Sequence, residues 1–295
     1  MYFVIDIGSN TIRAVVFRLD GNKLIPVLNK KYSAGLAGYV DEDDLMSEEG
    51  ILLCLDILGE IKIIIDAFDF DGVYPFATAS LRNVKNSREI VERIEKETGL
   101  TVKVLTGNEE AYFDYYGTVQ SIPSEKGILA DIGGGSTEIV LYHDSEALVG
   151  ESLNFGSLTM YNRFVDGLIP TKKEIKAIQE EATSQLEKLH FRPLSPSMRT
   201  LCGVGGTARA ALKLYNLVTH QEKGNDVYPV EFLSDLLSRQ WEEEKMTKLI
   251  LKTSPDRIHT LIPGMAILSA IGEFFHAEKV ITSSHGVREG YYMIS

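Results

Sequence analysis

Two short stretches of this chain place an aspartate at the end of an apolar run and follow it with a turn of small residues. Asp6-Ile7-Gly8-Ser9-Asn10-Thr11-Ile12-Arg13 and Asp131-Ile132-Gly133-Gly134-Gly135-Ser136-Thr137-Glu138 align without a gap, and the match continues through Val15/Val140, Val16/Leu141 and Phe17/Tyr142. A turn of Gly and Ser lets the backbone approach a ligand, because no bulky Cβ intervenes. Its successive N–H groups point into one concavity and bind anions. Ser9, Asn10, Thr11, Ser136 and Thr137 add side-chain donors. Either turn alone is as well read as a structural hairpin. The pair favours a phosphate chain gripped from two sides. No Gly-Lys-Ser/Thr follows either turn, and the helix-based dinucleotide fingerprint is absent.

Carboxylates in such turns conflict with phosphate, and a divalent metal resolves the conflict. Magnesium binds one or two carboxylates and bridges to substrate phosphates. Asp131 and Glu138 flank one Gly-rich turn, which favours the metal. For Asp6 a plain turn-capping role stands level with the metal reading. Phosphate chemistry also needs a base for water. Gly107-Asn108-Glu109-Glu110-Ala111 opens a helix after a strand, where acids complement the helix dipole. Residue physics alone prefers that reading to a catalytic one. Arg82, in Ala77-Thr78-Ala79-Ser80-Leu81-Arg82, follows another strand and is a candidate phosphate contact. Gly203-Val204-Gly205-Gly206-Thr207-Ala208-Arg209 is a third Gly-rich turn able to approach a ligand. In His285-Gly286-Val287-Arg288-Glu289-Gly290, an interdomain salt bridge is the favoured role of Arg288.

The elements that must position these residues alternate between strand and helix, which indicates an α/β fold. Apolar runs at 2–7, 12–19 and 24–32 read as strands. Ser47 caps a helix reaching about residue 68, and Asn86-Ser87 caps another over 88–98, stopped by Gly99. Short strands are expected at 73–77 and 101–105, with a helix over 107–119. The segment 122–127 is the clearest linker. Strands at 128–132 and 137–142 repeat the opening. Later strands fall at 200–203 and 279–282, and later helices at 172–189, 206–215, 229–239 and 258–275. The apolar stretch 264–275 reads as core rather than interface. The repeat makes the chain a duplicated domain, divided into 1–121 and 122–295, with one turn of each half facing a shared cleft. The last helix is a candidate to pack back on the first domain.

The chain has 295 residues, and 30 Lys and Arg stand against 42 Asp and Glu for a net charge of −12. Apolar residues at 44% and charged residues at 24% are ordinary for a globular protein and exclude a disordered or collagen-like chain. The acidic balance argues against nucleic acid as a partner. Cys54 and Cys202 form no CxxC pair, so two reduced, packed thiols are expected. The start shows no signal-peptide pattern, and no uncharged run approaches the ~20 residues of a membrane span. A cytoplasmic location without a membrane partner is the expectation.

The motifs, in order, resemble the exopolyphosphatase / guanosine pentaphosphate phosphatase family, within the actin-like ATPase and sugar kinase superfamily. Asp131-Ile-Gly-Gly-Gly-Ser-Thr-Glu138 and Gly107-Asn-Glu-Glu-Ala111 are together the specific pieces. The resemblance implies two ribonuclease-H-like domains flanking a central cleft. It implies Glu110 as the catalytic base for water, which overrides the helix-dipole preference. It implies Asp131 and Glu138 at a magnesium site, to which the reading of the first turn adds Asp6. Phosphate would be held by Gly8, Ser9, Asn10, Thr11, Arg82, Gly133, Gly134, Gly135, Ser136, Thr137, Gly205, Gly206 and Thr207. The substrate would be inorganic polyphosphate or guanosine pentaphosphate, and a homodimer is a further implication. Long family members carry extra C-terminal helical domains beyond this core, so any hold on a long polymer is in question. A superfamily kinase and a non-catalytic polyphosphate or alarmone sensor are the rival readings.

Overall fold

The computed structural model describes all residues except 22, 120–121, 123–124, 193–197, 240–241 and 295. The chain forms two compact units, Met1–Glu109 together with Ile294, and Glu110–Met293. The dividing point falls inside one helix. The boundary expected at 121/122 lies beside residues outside the described set.

In the first unit, β1 (Tyr2–Ile7), β2 (Thr11–Asp20) and β3 (Lys23–Ser33) form an antiparallel meander. Helix α1 (Glu48–Ala67) leads to β4 (Gly72–Ala77), then α2 (Ala79–Arg82), α3 (Ser87–Thr98) and β5 (Lys103–Val104). Strands β4 and β5 extend the sheet in parallel, giving the order β3-β2-β1-β4-β5. Phe3, Val4, Ile5 and Ile7 of β1 are all buried, as expected of a strand covered on both faces. Ser47 caps α1 by accepting from the Gly50 N–H at 3.4 Å. Asn86 makes no side-chain cap on α3. Its amide is instead spent on Met46, accepting from the N–H at 3.0 Å and donating to the carbonyl at 2.9 Å. Tying down the entry to α1 outweighs one helix-end bond.

Helix α4 (Gly107–Thr118) carries the chain into the second unit. There β6 (Lys126–Ile132), β7 (Thr137–His143) and β8 (Glu146–Leu153) form a second antiparallel meander, followed by α5 (Ser157–Phe164), α6 (Lys172–Leu186) and β9 (Thr200–Val204). The remaining elements are α7 (Gly205–Thr219), β10 (Val227–Pro229), α8 (Glu231–Ser238), α9 (Glu243–Thr253), α10 (Leu261–Phe274), β11 (Lys279–Thr282) and α11 (Val287–Ile294). Strand β9 runs parallel to β6, and β11 parallel to β9, within the order β10-β11-β9-β6-β7-β8. Both sheets are thus a three-stranded meander extended from its first member by two parallel strands, and the second sheet ends on the antiparallel β10. Helix α10 is buried at every residue from Leu261 to Gly272, the behaviour of a helix apolar on all sides. Cys54 and Cys202 are free and buried, and burial pushes both thiols up to about 12. Among the described residues no helix is long and apolar enough to cross a membrane.

Candidate active site

The two repeated turns adopt the same closure. Gly8 N–H donates to the Thr11 carbonyl at 3.0 Å, and Gly133 N–H donates to the Ser136 carbonyl at 3.0 Å. Both turns also have their carbonyls tied back into the protein. Ala34 and Gly35 donate to the Asn10 carbonyl, and Ala37 to that of Ser9. Ser157 donates through N–H and hydroxyl to the Gly133 carbonyl, while Leu158 and Thr159 donate to that of Gly134. Engaging these acceptors removes negative dipole ends that would oppose an anion. In the second unit the work falls to the N-terminus of α5. Gly156 makes this possible, since a Cβ there would stand 2.7 Å from the Gly133 carbonyl oxygen.

Two expected phosphate donors have their hydroxyls committed to the fold. Thr137 Oγ1 donates to the Phe155 carbonyl at 2.7 Å, and Thr207 Oγ1 to the Ile132 carbonyl at 3.0 Å. Both side chains are buried, so their hydroxyl protons shape the turns. In the first unit, Ser9 is buried, the Ser80 hydroxyl holds the Ile7 carbonyl, and Arg82 Nη1 donates to the Leu105 carbonyl at 3.2 Å.

The carboxylates of the second unit gather at the β6–β7 turn. Asp131 and Glu138 are register partners. Glu138 is buried, and its Oε1 accepts from Ser152 Oγ of β8 at 2.7 Å. Like charges directly opposite in a sheet destabilise it unless something cationic intervenes. Helix α4 adds two more acids on one face. Glu110 and Asp114, four residues apart, are both buried, Asp114 completely. Neither Asp114 oxygen receives a hydrogen bond of good geometry from the protein. Burial, reinforced by the neighbouring Asp131, Glu138 and Glu110 charges, holds the Asp114 carboxyl well above the ordinary range. Burial also raises Asp131, against the opposing pull of Arg209, a hydrogen bond from Asp114, Arg288 and Arg257.

The pair Glu109-Glu110 divides two roles between neighbours. Glu109 closes a capping box, accepting from Thr106 N–H and Oγ1 while its own N–H donates to Thr106 Oγ1. It also pairs with Lys103 Nζ at 2.8 Å, and these bonds hold its carboxyl below the usual value. The helix-end reading is therefore right for Glu109, while Glu110 turns into the acidic cluster.

Three arginines answer the acids. Arg209 of α7 donates to the Ser283 carbonyl at 3.2 Å. Burial and the nearby Arg288 weaken its hold on its proton, opposed by Asp131. Arg257 lies over the first turn of α7, with Nε 2.9 Å from where a Gly206 Cβ would stand. Arg288, expected to bridge the domains, acts on Asp131 and Arg209 of its own unit. Gly205 has φ +76°, and a Cβ there would stand 2.9 Å from Asp131 Cγ. Only glycine takes this conformation readily, and only glycine leaves the Asp131 carboxylate this close to the helix start. Asp114 and Arg257 were absent from the expected site. The spacing of Asp114 from Glu110 put it on the same helix face, but nothing in the sequence marked Arg257.

A three-strand meander with parallel extensions, built twice and carrying an acid at each first turn, is the two-domain actin-like fold. Residues 15–294 match the model of the Ppx/GppA phosphatase family, and the chain belongs to that family. A Haemophilus influenzae protein provisionally named as an exopolyphosphatase is 27% identical over 290 residues, spanning 97% of this chain and 88% of that one. A guanosine-5'-triphosphate,3'-diphosphate pyrophosphatase of Aeromonas salmonicida is 28% identical over 293 residues, and this chain spans only 58% of its length. Among solved structures, the Aquifex aeolicus PPX-GPPA enzyme has a TM-score of 0.76 at 26% identity, covering 100% of this chain and 99% of that one. A Cytophaga hutchinsonii exopolyphosphatase, at 22% identity, shares the fold with a TM-score of 0.84, covering 99% and 97%.

Proposed function

We propose that the chain is a magnesium-dependent hydrolase of the terminal phosphoanhydride of inorganic polyphosphate, releasing orthophosphate. The observation that carries this reading is the pairing of Asp131 with Glu138 across a Gly-rich turn, with Glu110 buried in the same cluster. Two facing carboxylates suit magnesium, which uses one or two carboxylates and takes its other oxygens from water and substrate phosphate. Among the described residues no group of three or more His, Cys, Asp or Glu is placed to hold a metal ion, so the proposed ion would rest on two protein carboxylates and on substrate and water oxygens. When bound, the ion would supply charge neutralisation at the phosphate oxygens.

The chain's own residues supply the rest. Phosphoryl transfer depends chiefly on positioning and charge stabilisation. N–H groups of the turn 133–136 and of the α7 start orient phosphate oxygens, with Arg257 and Arg209 as adjacent charges. In the first unit, the turn 8–11 and Arg82 are the corresponding donors. Glu110 accepts a proton of the attacking water as the water oxygen bonds to the terminal phosphorus and the bridging P–O bond breaks, the shortened chain leaving with the bridging oxygen. Glu110→Gln should slow phosphate release ~10²–10⁴-fold, the usual worth of a general base. A folded variant with wild-type release would overturn the assignment. Chelation of magnesium should stop turnover, and undiminished release would defeat the metal reading.

The Aeromonas relative's name supports a second reading, hydrolysis of the terminal phosphate of guanosine pentaphosphate. Rates measured side by side on short polyphosphate and on that nucleotide separate the two. The net charge of −12 offers a long polyanion little long-range attraction, which favours compact substrates of either kind.

A further inference from the structure

The segment 285–291 packs along α4 from Phe113 to Thr118, the turns that follow Glu110. Thr118 Oγ1 donates to the His285 carbonyl at 3.3 Å. The rings of Phe113 and Tyr291 meet edge-on, with centroids 5.3 Å apart. Three glycines bring the two backbones together between these contacts. A Cβ on Gly290 would stand 2.6 Å from the Phe113 carbonyl carbon and 2.9 Å from the Gly117 nitrogen. One on Gly117 would stand 2.7 Å from the Gly290 nitrogen. One on Gly286 would meet Val204 Cγ1 at 2.8 Å and Asp114 Oδ1 at 3.1 Å.

Backbone freedom does not explain these glycines, because none of the three has a positive φ. Gly117 and Gly290 lie inside helices, where glycine costs about 1 kcal/mol relative to alanine. What they supply is space. The start of α11 is itself fixed, with Gly286 N–H donating to Glu289 Oε2 at 2.9 Å and Gly290 N–H to the Gly286 carbonyl at 3.1 Å. Residues 110, 114 and 117 recur on one face of α4. The surface that receives Gly117 therefore sets the height of Glu110.

We infer that Gly286 and Gly290 are positioning residues for hydrolysis: by seating α11 backbone-to-backbone on α4, they fix where Glu110 stands relative to Asp131. This rests on Glu110 being the base. A methyl group at either position lifts α4 without removing any group that binds substrate. A misplacement of about 1 Å at a catalytic group costs up to ~10²-fold in rate.

The test compares Gly290→Ala, Gly286→Ala and the double variant Gly286→Ala/Val204→Ala, using tripolyphosphate with magnesium. Expected is a kcat loss approaching ~10²-fold, with KM held within about twofold, because an interaction made only in the transition state lowers kcat alone. Circular dichroism should show a folded protein. Trimming Val204 removes one of the two clashes at Gly286, so the double variant should recover part of the lost kcat. Wild-type kcat in a folded Gly290→Ala variant overturns the inference, as does loss of kcat strictly in step with folded fraction. Should Gly290→Ala fail to fold, the Gly286 pair decides: full kcat in Gly286→Ala, or no recovery in the double variant, overturns it. Glu110→Gln measured in parallel separates the two claims. A normal rate there removes the base assignment, whereas a collapse there with normal Gly290→Ala removes only the positioning role.

Discussion

The two hairpins share their closure and the tying back of their turn carbonyls, yet differ in the residue facing the aspartate. In the first unit Asp6 is the register partner of Arg13. In the second, Asp131 faces Glu138. One pair is opposite in charge. The other is a pair of acids, and Asp114 and Glu110 add to it. Such an arrangement destabilises a sheet unless cations offset it; Arg209, Arg288 and Arg257 act on Asp131, and the proposed magnesium would add to them. The two turns share one geometry, and the residue opposite the aspartate separates an opposite-charge pair from a like-charge pair.

Converting the second hairpin to the pattern of the first should have the largest effect. Glu138→Arg places a permanent cation opposite Asp131. Phosphate release should fall by ~10²-fold or more, the scale of removing a preorganised electrostatic contact. Added magnesium should not restore it, since a guanidinium would take the place of the proposed metal. Release that still rises with magnesium as in the wild type would show that the facing pair is not what sets the hairpins apart.

Gly205→Ala probes the approach of α7 to Asp131. The left-handed backbone alone costs about 1–2 kcal/mol for a residue with a Cβ, and the methyl group also meets the Asp131 carboxylate. A lowered unfolding midpoint with reduced release is expected. The first hairpin is the control, because a Cβ on Gly8 meets only Thr11 O at 3.1 Å and Asp6 Oδ1 at 3.7 Å. Gly8→Ala should cost less. Equal losses would show that the close approach of α7 to Asp131 carries no special cost.

Asp114 sharpens the same contrast through pH. Its folded value lies above its unfolded one, so the folded protein binds more protons between those two values. Stability then falls as pH rises through that window. Asp114→Asn removes the charge while keeping the shape. In chelator, the variant should gain thermal stability over the wild type at pH 8 and gain less at pH 5. A gain independent of pH would show that the burial of Asp114 carries no charge penalty.

Much of this was legible in the residues. The repeat was visible because strands alternate apolar residues around glycine turns, and those are local signals. Ser47 followed from helix-end chemistry for the same reason. Asn86 carried the identical local signal, but its side chain was taken by Met46, forty positions away, and short-range pattern does not report such partners. Helix α5 was not read from sequence, although its N-terminus holds the second turn. Its role depends on Gly156 fitting against Gly133 and Gly134, a matter of tertiary contact. Arg257 was hidden similarly, since it reaches the α7 turn from a distant loop. Glu110 was separated from Glu109 by the resemblance, and the capping box of Thr106 and Glu109 gives the physical reason.

The smallest expected effect concerns whether the turn threonines bind phosphate or build the turn. Thr137→Val keeps the shape and removes the hydroxyl that serves the Phe155 carbonyl. An unsatisfied buried acceptor costs about 1–3 kcal/mol, so the unfolding midpoint should fall by a few degrees, while kcat stays within about threefold because the hydroxyl proton was already committed to the fold. Thr207→Val should behave alike through the Ile132 carbonyl. Ser136 has no such assignment to a named carbonyl and serves as the contrast: its loss should act on KM more than on stability. If Thr137→Val instead raises KM sharply at unchanged stability, its hydroxyl must leave Phe155 for substrate, and the second turn would then be remade on binding rather than built in advance.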